Sequence, residues 1–230
     1  MNRRTVSRLA LVVVAVALLV ALPAILTACG GTAKVTTTTA GTASGGTAPG
    51  DTSTYTDPTY GFSFTYPSGW KVKSNDQAQV TSGASSKYTL GAFNPNGATA
   101  QGSFIDVMEV QLFVLDASVT ESERDRVKPE VQNLFANLTK QSGDWKPVDQ
   151  LTDVTYGDLW GWKMTYSFTV KDTPSYTTFY VLFHGTMEYQ LLVQASAKTW
   201  DSYKTTFDTF VTSFKAGTAS AASTTASTSK

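Results

Sequence analysis

The stretch Trp160-Gly161-Trp162-Lys163-Met164-Thr165-Tyr166-Ser167-Phe168-Thr169-Val170 decides the fold. Its large apolar residues fall at every second position without a break, the two-residue period of a strand with a buried face. Asp172-Thr173-Pro174 marks a turn after it, Tyr176 to Phe183 continues extended, and His184-Gly185 turns into Met187 to Ala195. Three such runs joined by short turns predict a three-stranded antiparallel meander.

Working upstream, more strands come into view. Gly61-Phe62-Ser63-Phe64-Thr65-Tyr66 alternates aromatic with small residues, Pro67-Ser68-Gly69 turns, and Trp70 to Lys73 is extended again. Tyr88 to Phe93 and Val148 to Tyr156 read as strands. Phe104 to Leu115 is a longer one, with Met108, Val110, Leu112 and Val114 on one face.

Two segments switch to the helical period. Thr120-Glu121-Ser122-Glu123 has the pattern of a capping box, in which threonine and glutamate satisfy the free amides of a helix start. Val127, Val131, Leu134, Phe135 and Leu138 then form one stripe, and Pro129 is expected to kink this helix or to open a second segment. Trp200, Tyr203, Phe207, Phe210, Val211 and Phe214 define a final amphipathic helix. Two helices with one large antiparallel sheet predict an α+β layered domain over residues 55–215.

Low-complexity segments flank that domain. Residues 29–54 begin at the only cysteine and continue almost entirely in Gly, Thr, Ala and Ser, a composition that reads as a flexible tether of about 25–30 Å reach. Residues 216–230 read as a Ser/Thr/Ala-rich disordered tail.

The first 28 residues have the layout of an export signal. Arg3, Arg4 and Arg8 precede the aliphatic run Leu9 to Leu22, and Leu26-Thr27-Ala28-Cys29 closes it. Those four residues resemble the lipobox of bacterial lipoproteins, whose cysteine sulfur carries a diacylglyceryl group after cleavage before the cysteine. The competing reading is an uncleaved anchor, since Leu9 to Ala28 is uncharged over a span that suffices to cross a bilayer. Pro23 and the small residues before Cys29 favour cleavage. Arg3-Arg4 also echoes a twin-arginine signal, but Thr5-Val6-Ser7 lacks the bulky apolar residues of that route, which favours general secretion. Two acyl chains hold a protein stably where one does not, so the expected location is the extracytoplasmic face of the cell membrane.

Composition excludes several classes. Removing residues 1–28 takes three of eighteen basic side chains and none of the eighteen acidic ones, which leaves 15 against 18 and a net charge of −3. No basic stripe for phosphates is visible, so no nucleic-acid partner is expected. Arg124, Arg126 and Lys128 are interleaved with Glu121, Glu123, Asp125 and Glu130, as on a solvated helix face. With Cys29 lipidated, no thiol remains for a disulfide.

Catalytic and metal patterns are equally sparse. His184, the one histidine, sits in a turn, and a lone histidine without cysteines makes no zinc site. Asp106 with Glu109, and Asp149 with Asp153, follow no calcium-loop spacing. Ser68-Gly69-Trp70-Lys71 matches Ser-x-x-Lys formally, yet it spans a turn into a strand, where that motif requires a helix start. No catalytic, cofactor-binding or metal residue is assigned, no cofactor is expected, and Cys29 is the one residue with a chemical role. The aromatic residues Trp160, Trp162, Tyr166 and Phe168, with Tyr176 and Tyr180, have two readings: the lining of a ligand groove, and core packing beneath a helix.

The segment Asp57-Pro58-Thr59-Tyr60-Gly61-Phe62-Ser63-Phe64-Thr65-Tyr66-Pro67-Ser68-Gly69-Trp70 resembles the opening of PsbP-like domains, a group that includes lipoproteins of the LpqN type. The ending, with Trp200, Phe207 and Phe210-Val211-Thr212-Ser213-Phe214, is similar to the same group. The resemblance implies an α-β-α sandwich around a central antiparallel sheet. Its shared residues are structural: Tyr60 and Phe62 anchor a strand, Gly61 permits a tight approach, and Pro67 to Gly69 turn before a buried Trp70. It supplies no catalytic group. The resulting expectation is a membrane-anchored lipoprotein with a non-catalytic domain that binds a protein or a small apolar or glycan ligand. The alternatives are an accessory or assembly subunit of a membrane complex, by analogy with PsbP of photosystem II, and thirdly a hydrolase.

Overall fold

The structure, a computed structural model, describes residues 50–74, 88–100, 102–141 and 144–217. The Leu26–Cys29 motif, the export segment, the tether through residue 49 and the tail from residue 218 lie outside the described residues. In chain order the strands are β1 (Thr52–Thr56), β2 (Ser63–Pro67), β3 (Lys71–Ser74), β4 (Tyr88–Phe93), β5 (Thr99–Ala100), β6 (Ser103–Phe104), β7 (Val107–Val119), β8 (Lys146–Pro147), β9 (Thr152–Tyr156), β10 (Leu159–Val170) and β11 (Thr173–Ser196). Helix α1 (Arg124–Gln141) follows β7, and α2 (Trp200–Ser213) follows β11.

The alternating stretch is β10, and it pairs antiparallel with β11 from Trp160 opposite Phe183 to Val170 opposite Thr173. Their turn is Lys171-Asp172, at φ 44° and 70°. Two positive values at the centre of a two-residue hairpin are those of a type I′ turn, and aspartate tolerates that region. β11 is one unbroken run of 24 extended residues, but it doubles back on itself. A straight strand of that length would span about 80 Å, whereas the Ala197 amide donates to the Pro174 carbonyl at 2.8 Å and the Thr177 hydroxyl to the Val193 carbonyl at 3.1 Å. The fold-back lies at Gly185-Thr186, with Gly185 at φ 59°, the positive value that the first central residue of a type II′ turn requires. The meander is therefore β10 and the two arms of β11, and the second arm pairs with β7 on its far side.

The main sheet runs β3-β4-β7-β11-β10-β8, with β9 also on β10. Every pairing within it is antiparallel. Two cores lie on its opposite faces. On one, Met108, Val110, Leu112, Leu182, Tyr189 and Leu191 pack under Phe207, Phe210 and Val211 of α2 and under Phe62, Phe64 and Tyr66 of the β1–β2 hairpin. On the other, Trp160, Trp162, Tyr166, Phe168, Phe179 and Val181 pack under Val127, Val131, Phe135 and Leu138 of α1. This is the expected α+β, α-β-α sandwich, with the β1–β2 hairpin sharing the α2 layer. Burying a side chain of this size contributes about 1.5–3 kcal/mol.

The structure departs from the sequence reading in several places. β1 takes in Thr52 to Thr54, ahead of the boundary at residue 55, because the strand pairs along its whole length from Thr52 opposite Pro67 to Thr56 opposite Ser63. At the other end, the Gly217 amide donates to the Tyr189 hydroxyl at 3.0 Å, so ordered contacts extend past residue 215. The single strand expected over Val148 to Tyr156 is split into β8 and β9. There the Asp149 side chain accepts from the Thr165 amide at 2.6 Å, in place of a backbone carbonyl. The expected strand, turn and strand over residues 61–73 are present as β2 and β3, with β2 paired to β1 and the turn after Pro67 carrying the chain into the main sheet at β3. α1 runs through Pro129 as one helix. The carbonyl that loses its amide donor belongs to Asp125, which is exposed to water.

Candidate functional site

The structure gives the polar residues singled out in the sequence structural partners. Asp57 accepts from the Thr59 and Tyr60 amides at 2.9 and 2.6 Å and from the Tyr55 hydroxyl at 3.2 Å, which shapes the turn before Phe62. Buried Asp106 accepts from the amides of Ala98 and Ser196 at 2.8 and 3.2 Å and from the Thr199 hydroxyl at 3.1 Å, tying the loop before β5 to the start of α2. Asp153 meets Lys128 at 3.2 Å and Arg124 at 3.8 Å. His184 lies at the tip of β11, its Nδ1 3.2 Å from Asp158. Ser68 and Lys71 flank the turn into β3 with no helix start, and the Ser68 hydroxyl is 3.0 Å from that of Ser53. The capping box is present: the Thr120 amide donates to Glu123 at 3.0 Å, and that bond, ahead of Arg126, lowers the pKa of the Glu123 carboxyl. Among the described residues, no group of three or more His, Cys, Asp or Glu is placed to hold a metal ion.

The aromatic row is core, and it does not lie on one face. Trp160, Trp162, Tyr166 and Phe168 point toward α1, while Tyr180 belongs to the α2-side core and Tyr176 packs on Trp200 at a ring distance of 5.6 Å. Burial pushes the Tyr166 and Tyr180 hydroxyls far above the usual tyrosine range, and Tyr166 donates to the Phe135 carbonyl at 3.2 Å. Arg124 closes the open end of this row. Its guanidinium lies 5.2 and 5.5 Å from the ring centres of Trp160 and Trp162 and donates to the Gly161 carbonyl at 3.1 Å.

A different feature emerges beside that row, and residue types alone did not flag it. On β7, Glu109 and Gln111 share the side of Val107, which packs in the α1-side core; on β11, Glu188, Gln190 and Gln194 share the side of Leu192 in the same core. Gln190 is directly opposite Gln111. Gln190 donates to Glu188 at 2.7 Å, and Gln111 donates to Glu109 at 2.8 Å. Gln190 and Gln111 are 1% and 5% exposed, and Glu188 is 8% exposed. Burial raises the Glu188 pKa, and the bond from Gln190 opposes that rise.

Four buried polar atoms among the described residues lack a hydrogen-bond partner: Gln111 Oε1, Gln190 Oε1, Gln194 Oε1 and Trp162 Nε1. All four lie on the α1 side of the sheet. Leaving such a group unpaired costs about 1–3 kcal/mol, so their concentration on one face is a specific feature of the fold. A signal was present in the sequence: Glu-x-Gln occurs both at Glu109–Gln111 and at Glu188–Gln190. What the sequence lacked was the pairing that sets the two copies side by side.

No protein-family model matches the chain, and no curated protein matches it. Solved structures do match. Cyanobacterial PsbP (CyanoP) from Synechocystis sp. PCC 6803 is 15% identical with a TM-score of 0.49, covering 76% of this chain and 98% of that one. LpqN of Mycobacterium tuberculosis, described as involved in cell envelope biogenesis, is 9% identical with a TM-score of 0.39, covering 75% and 87%. A crystal structure from Bacteroides thetaiotaomicron VPI-5482 is 11% identical with a TM-score of 0.43; it covers 69% of this chain, which spans 46% of that protein. The likeness is one of fold. PsbP and LpqN are the groups that residues 57–70 resemble.

Within the domain, the carboxylate and amide row is the arrangement with chemistry to offer. Glu109 and Glu188 stand at its two ends, four residues apart in register, or about 13 Å along the strands. Gln111 and Gln190 fill the positions between them. No helix among the described residues is long and apolar enough to cross a membrane.

Proposed function

We propose that this chain is an extracytoplasmic bacterial lipoprotein, anchored at the cell membrane by a diacylglyceryl group on Cys29. Its PsbP-like domain is a non-catalytic module that binds a protein or a small ligand. The anchoring half rests on sequence: the only thiol follows a basic segment, an apolar run and small residues, and nothing else in the chain competes for it.

One structural observation supports the binding half. All four orphaned buried polar atoms among the described residues share one sheet face, where a bound molecule would supply the missing partners. The candidate nucleophiles, acids and bases are instead engaged in turns, caps and ion pairs, which favours recognition over catalysis. With the aromatic row packed as core, the expected ligand contact shifts from an apolar groove to the polar row.

The test of anchoring is expression of wild type and Cys29→Ser with labelled palmitate, with and without globomycin. Wild type is expected to carry label and stay with the membrane, Cys29→Ser to carry none, and globomycin to leave the signal segment attached. Membrane retention and mass unchanged by both treatments would overturn the lipoprotein reading.

A further inference from the structure

Three of the four orphaned atoms on the α1-side face are amide oxygens, the fourth being the indole nitrogen of Trp162, and Gln111 and Gln190 each direct an amide hydrogen to Glu109 and Glu188 respectively. Glu188 has no cationic partner among the described residues and is bonded to Gln190. Two amide oxygens on directly opposed residues, with a buried carboxylate beside them, call for a group that brings several donors and a positive charge together. We infer that this row is a binding site for a primary alkylammonium group, held by Gln111 Oε1, Gln190 Oε1 and the Glu188 carboxylate.

The competing chemistries fit less well. An ammonium has three donors and no acceptor, matching three acceptors in one row. A neutral hydroxyl gives one donor and leaves Glu188 uncompensated, and a buried unpaired carboxylate is costly. An anion would face the buried Glu188 carboxylate. A calcium ion takes six to eight oxygens, but here the glutamates are turned to the glutamine amides. The Glu188 register position lies opposite Phe113 and, by the fold-back of β11, opposite Phe183, so large apolar residues flank the carboxylate. The raised Glu188 pKa has the same origin, burial of a carboxylate without a counter-charge.

At the Glu109 end of the row, Gly91 pairs with Glu109 on one side and Lys73 on the other, and a Cβ placed on Gly91 would meet only the Met108 carbonyl oxygen, at 3.7 Å. This inference rests on the binding half of the proposed function and is independent of the lipid anchor.

The test uses the full chain in detergent, titrated with 1,5-diaminopentane, Nα-acetyl-lysine methylamide, 1,5-pentanediol and calcium chloride. Calorimetry and the side-chain amide resonances of 15N-labelled glutamine provide the readouts. Both amines are expected to bind at pH 7.5 and to shift the Gln111 and Gln190 amide signals. Binding is expected to fall at least tenfold in Glu188→Gln and in Gln111→Leu, with circular dichroism confirming that each variant is folded. Tighter binding of the lysine derivative assigns the site to a protein lysine; tighter binding of the diamine assigns it to a free amine. Equal binding of the diol, preferential binding of calcium, unshifted Gln111 and Gln190 signals in folded wild type, or undiminished binding in the folded variants would each overturn the inference. A chain that binds no amine but is still lipidated at Cys29 would refute this site and leave the anchor standing.

Discussion

Gln111 of β7 and Gln190 of β11 stand directly opposite each other, yet their amides turn to opposite ends of the row, Gln111 to Glu109 at 2.8 Å and Gln190 to Glu188 at 2.7 Å. The antiparallel pairing causes this divergence: each glutamine reaches the residue two positions before it, and the strands run in opposite directions. The amide oxygens are left in the centre with no donor.

This arrangement makes Glu188 dependent on Gln190. In Gln190→Leu the carboxylate loses its amide donor while still buried, which is expected to cost about 1–3 kcal/mol. Replacing both in Glu188→Leu/Gln190→Leu removes the charge as well, and stability is expected to return to the wild-type level or above. Urea midpoints of the two variants check the pair; a double variant less stable than the single one would refute it.

Stability is also expected to depend on pH at Glu188. Its folded-state pKa is raised above the ordinary glutamate value by burial, so the folded protein holds this proton more tightly than the unfolded chain does. That contribution is complete below the unfolded value of about 4.3 and is lost as pH rises through the folded one. Glu188→Gln should therefore melt higher than wild type at pH 7.5, with an advantage that shrinks as the pH falls toward 4. An advantage independent of pH would show that ionisation plays no part.

Gly161 of β10 carries a sharper requirement. A Cβ at this position would lie 1.9 Å from the Val181 carbonyl oxygen, whereas nothing stands within 4 Å of one placed on Gly69. Gly161→Ala is expected to cost on the order of 3 kcal/mol through backbone displacement, and Gly69→Ala to stay within about 0.5 kcal/mol of wild type. Thermal melts of the two alanine variants make the comparison, and similar melts would contradict the register of β10 on β11.

Arg124 joins α1 to the tryptophan end of the sheet through ring faces and carbonyls together. Lysine keeps the charge but loses the planar fork, so Arg124→Lys is expected to cost about 1–2 kcal/mol and to shift the tryptophan emission. Unchanged emission in a folded Arg124→Lys protein would show that the stacking is incidental.

Much of the fold was legible residue by residue. Trp160 to Val170 announced β10 because a two-residue period admits only a strand with a buried face, and Phe207, Phe210 and Val211 announced α2 by their helical spacing. Gly185 announced a turn because glycine takes a positive φ without steric cost. The split of β8 from β9 was not legible, since it depends on Asp149 meeting an amide sixteen residues away. The aromatic row was ambiguous for a related reason: Tyr180 and Trp162 lie on strands side by side, and the register alone sends them to opposite faces.

By itself the sequence marked most of the longer elements and the α+β layering, and it supplies the lone cysteine on which the proposed anchor rests, because periodicity, turn chemistry and residue identity are local properties of the chain. The candidate site was decided only by tertiary structure. Glu109-x-Gln111 and Glu188-x-Gln190 are separate in sequence, and neither is unusual on a strand. The fold-back at Gly185 brings the second arm of β11 against β7 and buries the two copies as one row. Burial, which no residue type fixes, turns ordinary surface amides into orphaned acceptors in want of a donor.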